Sequence, residues 1–473
     1  MEHTEFHAKL AQVVTSRLAD CDGLISVARL SGGASQETYR MEVDSGGETR
    51  TLAMRRAVEG TYNDLTLSRP GLAGEAELMR QASAAGVPSP AIYYVLTRED
   101  DLGDGFIMEW IEGEALGARI VRQPEYATLR QTLAYEIGKI LARVHQIDVT
   151  SPPLRDLLVQ TPPTDFIQQT WDRYIAFDTP QPLIDYTARW LLENLKPAHE
   201  LVLVHNDFRT GNFMVNEREV VAVIDWEAAH VGDPMRDLGW ICVNSWRYGG
   251  DDPVGGFGSY EDLFRGYEEV TEQTVDLDEV KYWQVFGSFW WATVCLGMVA
   301  QFRGGPDASI ERASIGRRAS EALVDCVNLM MPGAVDLIEP GLPVDIDMPR
   351  TDELLTAVSG FLHDQVMGET TGRTNFLARV SANAVDIAAR EQSLLPEHRR
   401  RELAALQSFY DSGPGADLAS LRWRLVRSLR DGSQTLDDES LKSHLRNYIV
   451  NQIAIDQPKY SGFKQALNRR NVE

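Results

Sequence analysis

Cysteine is scarce in this 473-residue chain. The four present, Cys21, Cys242, Cys295 and Cys326, are scattered without the spacing of a metal site or a disulfide framework. That excludes a zinc-stapled or disulfide-stapled scaffold and predicts reduced, structural thiols in a cytoplasmic protein. Long apolar runs are missing as well. The richest, WWATVCLGMVA at 290–300, falls short of the roughly 18 residues that cross a membrane and predicts a buried helix. The first residues, MEHTEFHAKLAQVV, lack the basic region and apolar core of a secretory signal. Positive charge is in deficit: 46 Lys and Arg against 70 Asp and Glu give a net −24. The deficit is uneven, because from Arg350 onward 17 basic and 16 acidic residues nearly balance, and residues 1–349 carry −25. Such a field argues against a nucleic-acid partner for the first part. It suits a cationic substrate or an acidic solvated surface.

The charge step coincides with a change of pattern. Residues 332–349, PGAVDLIEPGLPVDIDMP, are rich in proline, show no helical period and predict a linker. Beyond them, segments such as TDELLTAVSGFLHDQVM, TNFLARVSANAVDIAAREQ, PEHRRRELAALQSFY and ADLASLRWRLVRSLR place apolar residues three and four apart, which predicts an all-helical bundle. Its arginines read as solvated helix faces. The first part differs. LISVARLSGGASQETYRMEV and TRTLAMRRA alternate as strands around a Gly-rich turn. A helix, GEAELMRQASAAG, and two more strands, AIYYVLT and GFIMEWI, follow before the pattern turns helical with AYEIGKILARVHQI. The reading is an α+β chain: a strand-rich lobe at 1–110, a mainly helical lobe at 111–331 with a cleft between them, a linker at 332–349, and a helical domain at 350–473.

One stretch concentrates polar chemistry: VHNDFRTGNFMVNEREVVAVIDWE, residues 204–227. Two apolar strands, LVLV and EVVAVI, each lead to an acid, Asp207 and Asp225, with Asn212 between them. Paired as a hairpin, these strands would bring both carboxylates and the amide to one end. Oxygen donors of this kind suit Mg²⁺ held together with substrate phosphates. An acid beside a metal-bound nucleotide is what phosphoryl transfer requires, since positioning and charge neutralisation supply most of that catalysis.

The Asp-to-Asn spacing with a later Asp matches the catalytic loop of kinases. HNDFRTGN, then VIDWE, then GDPMRDLGW, in that order, resembles the aminoglycoside phosphotransferase and choline kinase superfamily. The resemblance implies a bilobal protein-kinase-like fold, an antiparallel-sheet N-lobe and a mainly helical C-lobe, followed here by the all-α bundle. It implies ATP and Mg²⁺ as cofactors. Asp207 is then the catalytic base, Asn212 and Asp225 are the metal ligands, and Arg209 is a cation able to neutralise charge on the transferring group. His205 would hold the loop by hydrogen bonds, and Asp233 and Asp237 would cap backbone amides. On the nucleotide side the resemblance assigns Gly32, Gly33 and Ser35 to the Gly-rich loop. It gives Arg55 the place where relatives carry a strand Lys, and Glu75 the role of its partner, with Glu77 as second choice. Met108 would sit beside the adenine, and the backbone of Glu109 to Ile111 would hydrogen-bond its edge.

Arg55-Arg56, the Arg after the base, DWE and WRYGGDDPVGGFGSYEDLFRGYEE are similar to the kinase portion of certain acyl-CoA dehydrogenase fusion proteins. That branch implies a hydroxyacyl-CoA-like or other small hydroxyl-bearing acceptor, with Trp240, Trp246, Arg247 and Tyr248 either lining the acceptor side or in the core. Two other readings stand beside it. One is an aminoglycoside or other polycation O-phosphotransferase. The other is a catalytically inactive, nucleotide-binding regulatory module, against which Asp207, Asn212 and Asp225 argue. The C-terminal helices resemble an uncharacterised domain found with such kinases, with roles in covering the acceptor, self-association or recruiting a partner enzyme.

Overall fold

The computed structural model describes residues 2–30, 36–57, 70–197, 199–305, 307–341, 348–413 and 415–468. Its contacts divide the chain into two compact units that interleave in sequence, Met1–Pro162 with Pro197–Trp283, and Pro163–Lys196 with Gln284–Glu473.

The first unit opens with helix Glu2–Arg17 and an antiparallel sheet of β1 (Gly23–Arg29), β2 (Glu37–Ser45), β3 (Glu48–Ala57), β4 (Ile92–Val95) and β5 (Asp104–Glu109), in the order β1-β2-β3-β5-β4. Ser45 pairs with Glu48 across a two-residue turn. Gly46 and Gly47 both take positive φ there, as a hairpin turn of that length requires. Alternation fixes the faces. Tyr39, Met41 and Val43 of β2 and Leu52 and Met54 of β3 are buried in one cluster with Leu10, Val13 and Val14 of the N-terminal helix. Since successive side chains on a strand point to opposite faces, Arg56 shares that face and lies over the rings of Phe6 and Tyr39. Arg55 points the other way, toward helix Gly71–Ala84, which carries Glu75.

Helix Ala127–His145 packs closely on helix Tyr260–Thr271. The approach needs glycine on both sides, because a Cβ at Gly138 would meet the Leu263 carbonyl at 2.1 Å and one at Gly266 the Tyr135 carbonyl at 2.0 Å. The strand pairing around the polar stretch differs from the hairpin expected. β6 (Val202–Val204) pairs with β9 (His230–Gly232), while β8 (Val220–Val223) pairs with β7 (Phe213–Val215). The nearer partner wins: 213–215 lies just across the Asn216–Glu219 turn, where the Asn216 N–H donates to the Glu219 carbonyl at 3.0 Å, and closing a short loop costs least entropy.

The second unit is helical: Pro163–Ile175, Pro182–Glu193, Ile310–Arg317, Ala319–Met330, Thr351–Phe361, Gly372–Phe409, Leu418–Arg430, Glu439–Asp456 and Ser461–Asn468. The sequence segments 374–392 and 396–410 form one helix of 38 residues that passes through Pro396. The hydrogen bond lost at proline is outweighed by burial on both sides of it, with Leu394, His398, Glu402 and Leu406 all inside. Helices 163–196 pack with the C-terminal ones: the buried Asp185 carboxylate accepts from Arg430 at 2.7 Å, Trp171 at 2.8 Å and Tyr174 at 3.0 Å. The apolar run at 290–300 lies within helix Leu277–Gly304, which begins in the first unit and ends in the second. With its full 28 residues this helix is long and apolar enough to cross a membrane, and half of its apolar window is buried.

Candidate active site

β6 delivers the chain into a loop held from below. Asp237, with none of its surface exposed, accepts from the backbone N–H of His205 and of Asn206, each at 2.7 Å. His145 lies 3.2 Å from the same carboxylate and contacts Tyr267 through its other ring nitrogen at 2.9 Å. Burial alone would raise the Asp237 carboxyl, but His145 and then His205 hold it below the ordinary range. Asn206 takes φ +64° and is fixed by Arg236, which donates to its side-chain oxygen at 3.0 Å. His205 donates from Nε2 to the Ile224 carbonyl at 3.1 Å and accepts the Asp207 N–H at Nδ1, 3.3 Å away. These are loop-holding roles, as expected for His205 and Asp237. Asp233 caps the Met235 N–H at 2.9 Å.

Asp207 is gripped on both oxygens. Oδ1 accepts from Trp240 Nε1 at 2.8 Å and from Arg209 Nε at 3.0 Å. Oδ2 accepts from Asn212 Nδ2 at 2.5 Å and from Arg209 Nη2 at 3.3 Å. Trp240, fully buried, was not foreseen in this role. Its partner lies 33 positions earlier, and an indole N–H leaves no trace in a hydrophobic pattern. Trp246 is buried beneath Arg209, whose guanidinium sits 4.4 Å from its ring centroid. Both tryptophans are thus buried, Trp240 against Asp207 and Trp246 beneath Arg209. Tyr248 donates to the Thr210 carbonyl at 3.3 Å and Arg247 to that of Cys242 at 2.9 Å. If Trp240 orients the base, Trp240→Phe keeps the ring, loses one bond to a carboxylate, and lowers kcat by roughly tenfold. Steady-state kinetics would show this with the nucleotide KM nearly constant; a KM effect alone would mean mere packing.

Asp225, two residues beyond β8, takes φ +68°, a left-handed turn that Asp tolerates better than most side chains. Arg55 reaches it from β3, with Nη2 to Oδ1 at 2.5 Å, and lies 3.6 Å from Glu75. Gln36 also bonds Arg55, and it donates at 3.3 Å to both Glu75 and Glu227. Burial would raise the Asp225 carboxyl, and the Arg55 guanidinium outweighs it and holds the group low. Glu77, the second choice as the Arg55 partner, instead lies 3.5 Å from Arg80 of its own helix and 2.8 Å from Gln81. Gln36 was not foreseen in this role.

Glu75 is 1 % exposed, and burial raises its carboxyl from 4.5 to about 7 despite Arg55. Between those values the folded chain keeps a proton that the unfolded chain has released. Stability therefore falls as pH rises through that window and is level above it. Glu75→Gln should remove this part of the slope; denaturant melts from pH 5 to 8 that run parallel for both chains would refute it.

The remaining sequence-predicted positions divide. Gly32, Gly33 and Ser35 lie outside the described residues. Met108 and Glu109 end β5, beside Ala53 and Leu52 of β3. The Glu109 N–H donates to the Ala91 carbonyl at 2.8 Å, so it is not the donor to a nucleotide edge. Ile111 follows in the half-buried segment that leads to Glu114, whose backbone pairs with Val215.

Among the described residues, no three His, Cys, Asp or Glu side chains gather as a metal cage. Mg²⁺ rarely needs one, because it binds through one or two carboxylates with substrate phosphates and water. The donor set fits: Asp225 offers a carboxylate, and Asn212, its amide nitrogen committed to Asp207, has the amide oxygen to offer.

The model of the phosphotransferase enzyme family matches residues 26–273, and a domain of unknown function matches 368–460. Acyl-CoA dehydrogenase family member 10 of Mus musculus is 28% identical over 233 residues, which is 47% of this chain and 20% of that protein. Acyl-CoA dehydrogenase family member 11 of Gallus gallus is 27% identical over 224 residues, covering 46% of this chain and 28% of the relative. The chain thus aligns with under a third of each of these relatives' length. A crystal structure from Ralstonia eutropha that carries an aminoglycoside phosphotransferase assignment shares the fold. It has a TM-score of 0.54 and 22% identity, and the match covers 68% of this chain and 97% of that one.

Proposed function

The chain belongs to the phosphotransferase enzyme family, and on that premise we propose that it transfers the γ-phosphoryl group of ATP to a hydroxyl of a small molecule. The observation that carries the reading is the pairing of Asp207 with Asn212 in the loop after β6 and of Asp225 with Arg55 of β3, the two pairs being tied by the Ile224 N–H, which donates to the Asn212 carbonyl at 2.9 Å. Asp207 receives the acceptor hydroxyl and takes its proton. Its carboxylate is oriented by four donor contacts. Where the transition state is loose, the nucleophile needs orientation more than activation. Arg209 stays beside the base and spreads positive charge toward the transferring group. Arg55 offers a fork of donors to phosphate oxygens, as a guanidinium can. Asn212 and Asp225 would hold Mg²⁺, which neutralises charge on the phosphates. Glu109 to Ile111 and Met108 would flank the base of the nucleotide, with Gly32, Gly33 and Ser35 on its phosphates.

The acceptor we favour is a hydroxyacyl-CoA-like molecule, because the curated relatives are acyl-CoA dehydrogenase family members. The polycation reading rests on the −25 balance of residues 1–349. All four cysteines are unpaired and buried, in keeping with the cytoplasm. The test is nucleotide turnover with Mg²⁺ across hydroxyacyl-CoAs, aminoglycosides and amino alcohols, with and without chelator. Turnover dependent on Mg²⁺ and one acceptor class is expected. Turnover with aminoglycosides alone would overturn the acceptor, and ATP binding without any transfer would favour the regulatory module.

A further inference from the structure

A recess of about 440 Å³ in the first unit is walled by helix Gly117–Arg122, the start of helix Ala127–His145 and the glycine-rich stretch 249–257. Its volume lies within the range of small-molecule sites. Two guanidinium groups line it, Arg122 and Arg130, against one carboxylate, Asp252. That balance reverses the one around it, since residues 1–349 carry a net −25.

Both arginines are held by backbone carbonyls rather than by acids. Arg130, half-buried, donates from Nη1 to the carbonyls of Ile120, at 2.8 Å, and Gln123, at 2.9 Å. Arg122, exposed, donates from Nη2 to the Tyr248 carbonyl at 2.5 Å. Among the described residues neither meets a carboxylate, which leaves Nε and Nη2 of Arg130 and the other donors of Arg122 for a ligand. A guanidinium is a rigid fork that matches phosphate and carboxylate oxygens. One that is already anchored loses little freedom when it binds.

Tyr248 joins this recess to the loop of Asp207. Its carbonyl accepts from Arg122, while its hydroxyl donates at 3.3 Å to the carbonyl of Thr210, three residues past Asp207. Tyr248 takes φ +50°, which a bulky side chain seldom adopts. Its ring lies against Gly117, where a Cβ would come within 2.2 Å of it. Strain of this kind persists where the surrounding structure enforces it, and it gathers at ligand sites. Beyond Tyr248 the bare backbone of Gly249 and Gly250 walls the recess, with Phe257 buried beside it. A polycation entering here would meet two like charges and a single acid. An anion meets two cations already in place.

Building on the kinase reading, we propose that Arg122 and Arg130 grip an oxyanion group of the acceptor, phosphate or carboxylate, remote from the hydroxyl that Asp207 receives. The test uses the full chain with its nucleotide site saturated by Mg²⁺ and a non-hydrolysable ATP analogue. Calorimetry follows coenzyme A as the phosphate source, 3-hydroxybutyrate as the carboxylate source and spermidine as the cationic contrast. Saturable binding of one anion is expected, weakened roughly tenfold or more in Arg122→Gln and in Arg130→Gln. Asp252→Asn should bind the anion as well or better, and the affinity for the ATP analogue should stay constant throughout. Because Arg130 also holds the end of helix Gly117–Arg122, the exposed Arg122→Gln decides the matter should Arg130→Gln fail to fold. No binding of either anion, anion binding that survives the arginine variants, or spermidine binding that Asp252→Asn abolishes would each overturn the proposal. Turnover separates it from the kinase reading. Anion binding with this pattern but no transfer to any acceptor would sink the kinase and leave the anion site standing. Turnover whose acceptor KM ignores both arginines would sink the grip and leave the kinase.

Discussion

Replacing Asp207 by alanine is expected to lower kcat by roughly 10²–10⁴-fold, the range that a positioned proton acceptor supplies, with nucleotide affinity nearly unchanged. The geometry makes the separation sharp. Asp207 faces Arg209, Asn212 and Trp240, whereas Arg55, the cation we propose for the nucleotide side, is anchored on Asp225 and Glu75. The alanine variant leaves that second group intact. It does strand Arg209 without its ion pair, so Asp207→Asn is the useful companion: shape is kept, charge is lost, and activity should fall almost as far. Calorimetric binding of a non-hydrolysable ATP analogue alongside turnover resolves the two effects. If affinity and kcat fell together, Asp207 would be holding substrate rather than receiving its proton.

The second large effect lies one layer deeper. Asp237→Ala removes a fully buried carboxylate on which two backbone amides and His145 converge. Breaking a buried charged network by removing one partner costs about 3–5 kcal/mol, since the amides of His205 and Asn206 are left without an acceptor. A urea melt of the variant should show this loss. At temperatures where the variant stays folded, activity should also fall, because the loop carrying Asp207 loses its footing. A change under about 1 kcal/mol would falsify the view that Asp237 carries the loop.

The meeting of Asp207 with Asn212 was legible in the sequence, because both sit in one short polar stretch that also carries Asp225. Arg55 was singled out only through the resemblance, at the place of the relatives' strand Lys; alternation along β3 turns it toward Glu75 and turns Arg56 toward Phe6 and Tyr39. What sequence could not convey was whatever depends on distant partners. The indole of Trp240 looks the same in a core as against a base. The pairing of β6 with β9 rather than β8 follows from a choice between near and far strands that hydrophobic pattern does not encode. The same holds for helices 163–196, which a sequence division assigns to the kinase lobe. They pack with the C-terminal helices because Asp185 meets Arg430, 245 positions away. Pro396 reads as a stop, and only the burial around it explains the continuous helix.

Arg55 has a practical consequence for anyone seeking this protein's ligands. Reagents that mark nucleotide sites by acylating a strand lysine need an amine, and at this position there is none to attack. Such a reagent would pass over the proposed site. A guanidinium, unlike an ammonium, also keeps its proton at any pH the fold survives. Alkaline conditions that strip a lysine of its charge therefore leave this cation in place, and any loss of turnover above pH 10 must be sought elsewhere in the chain.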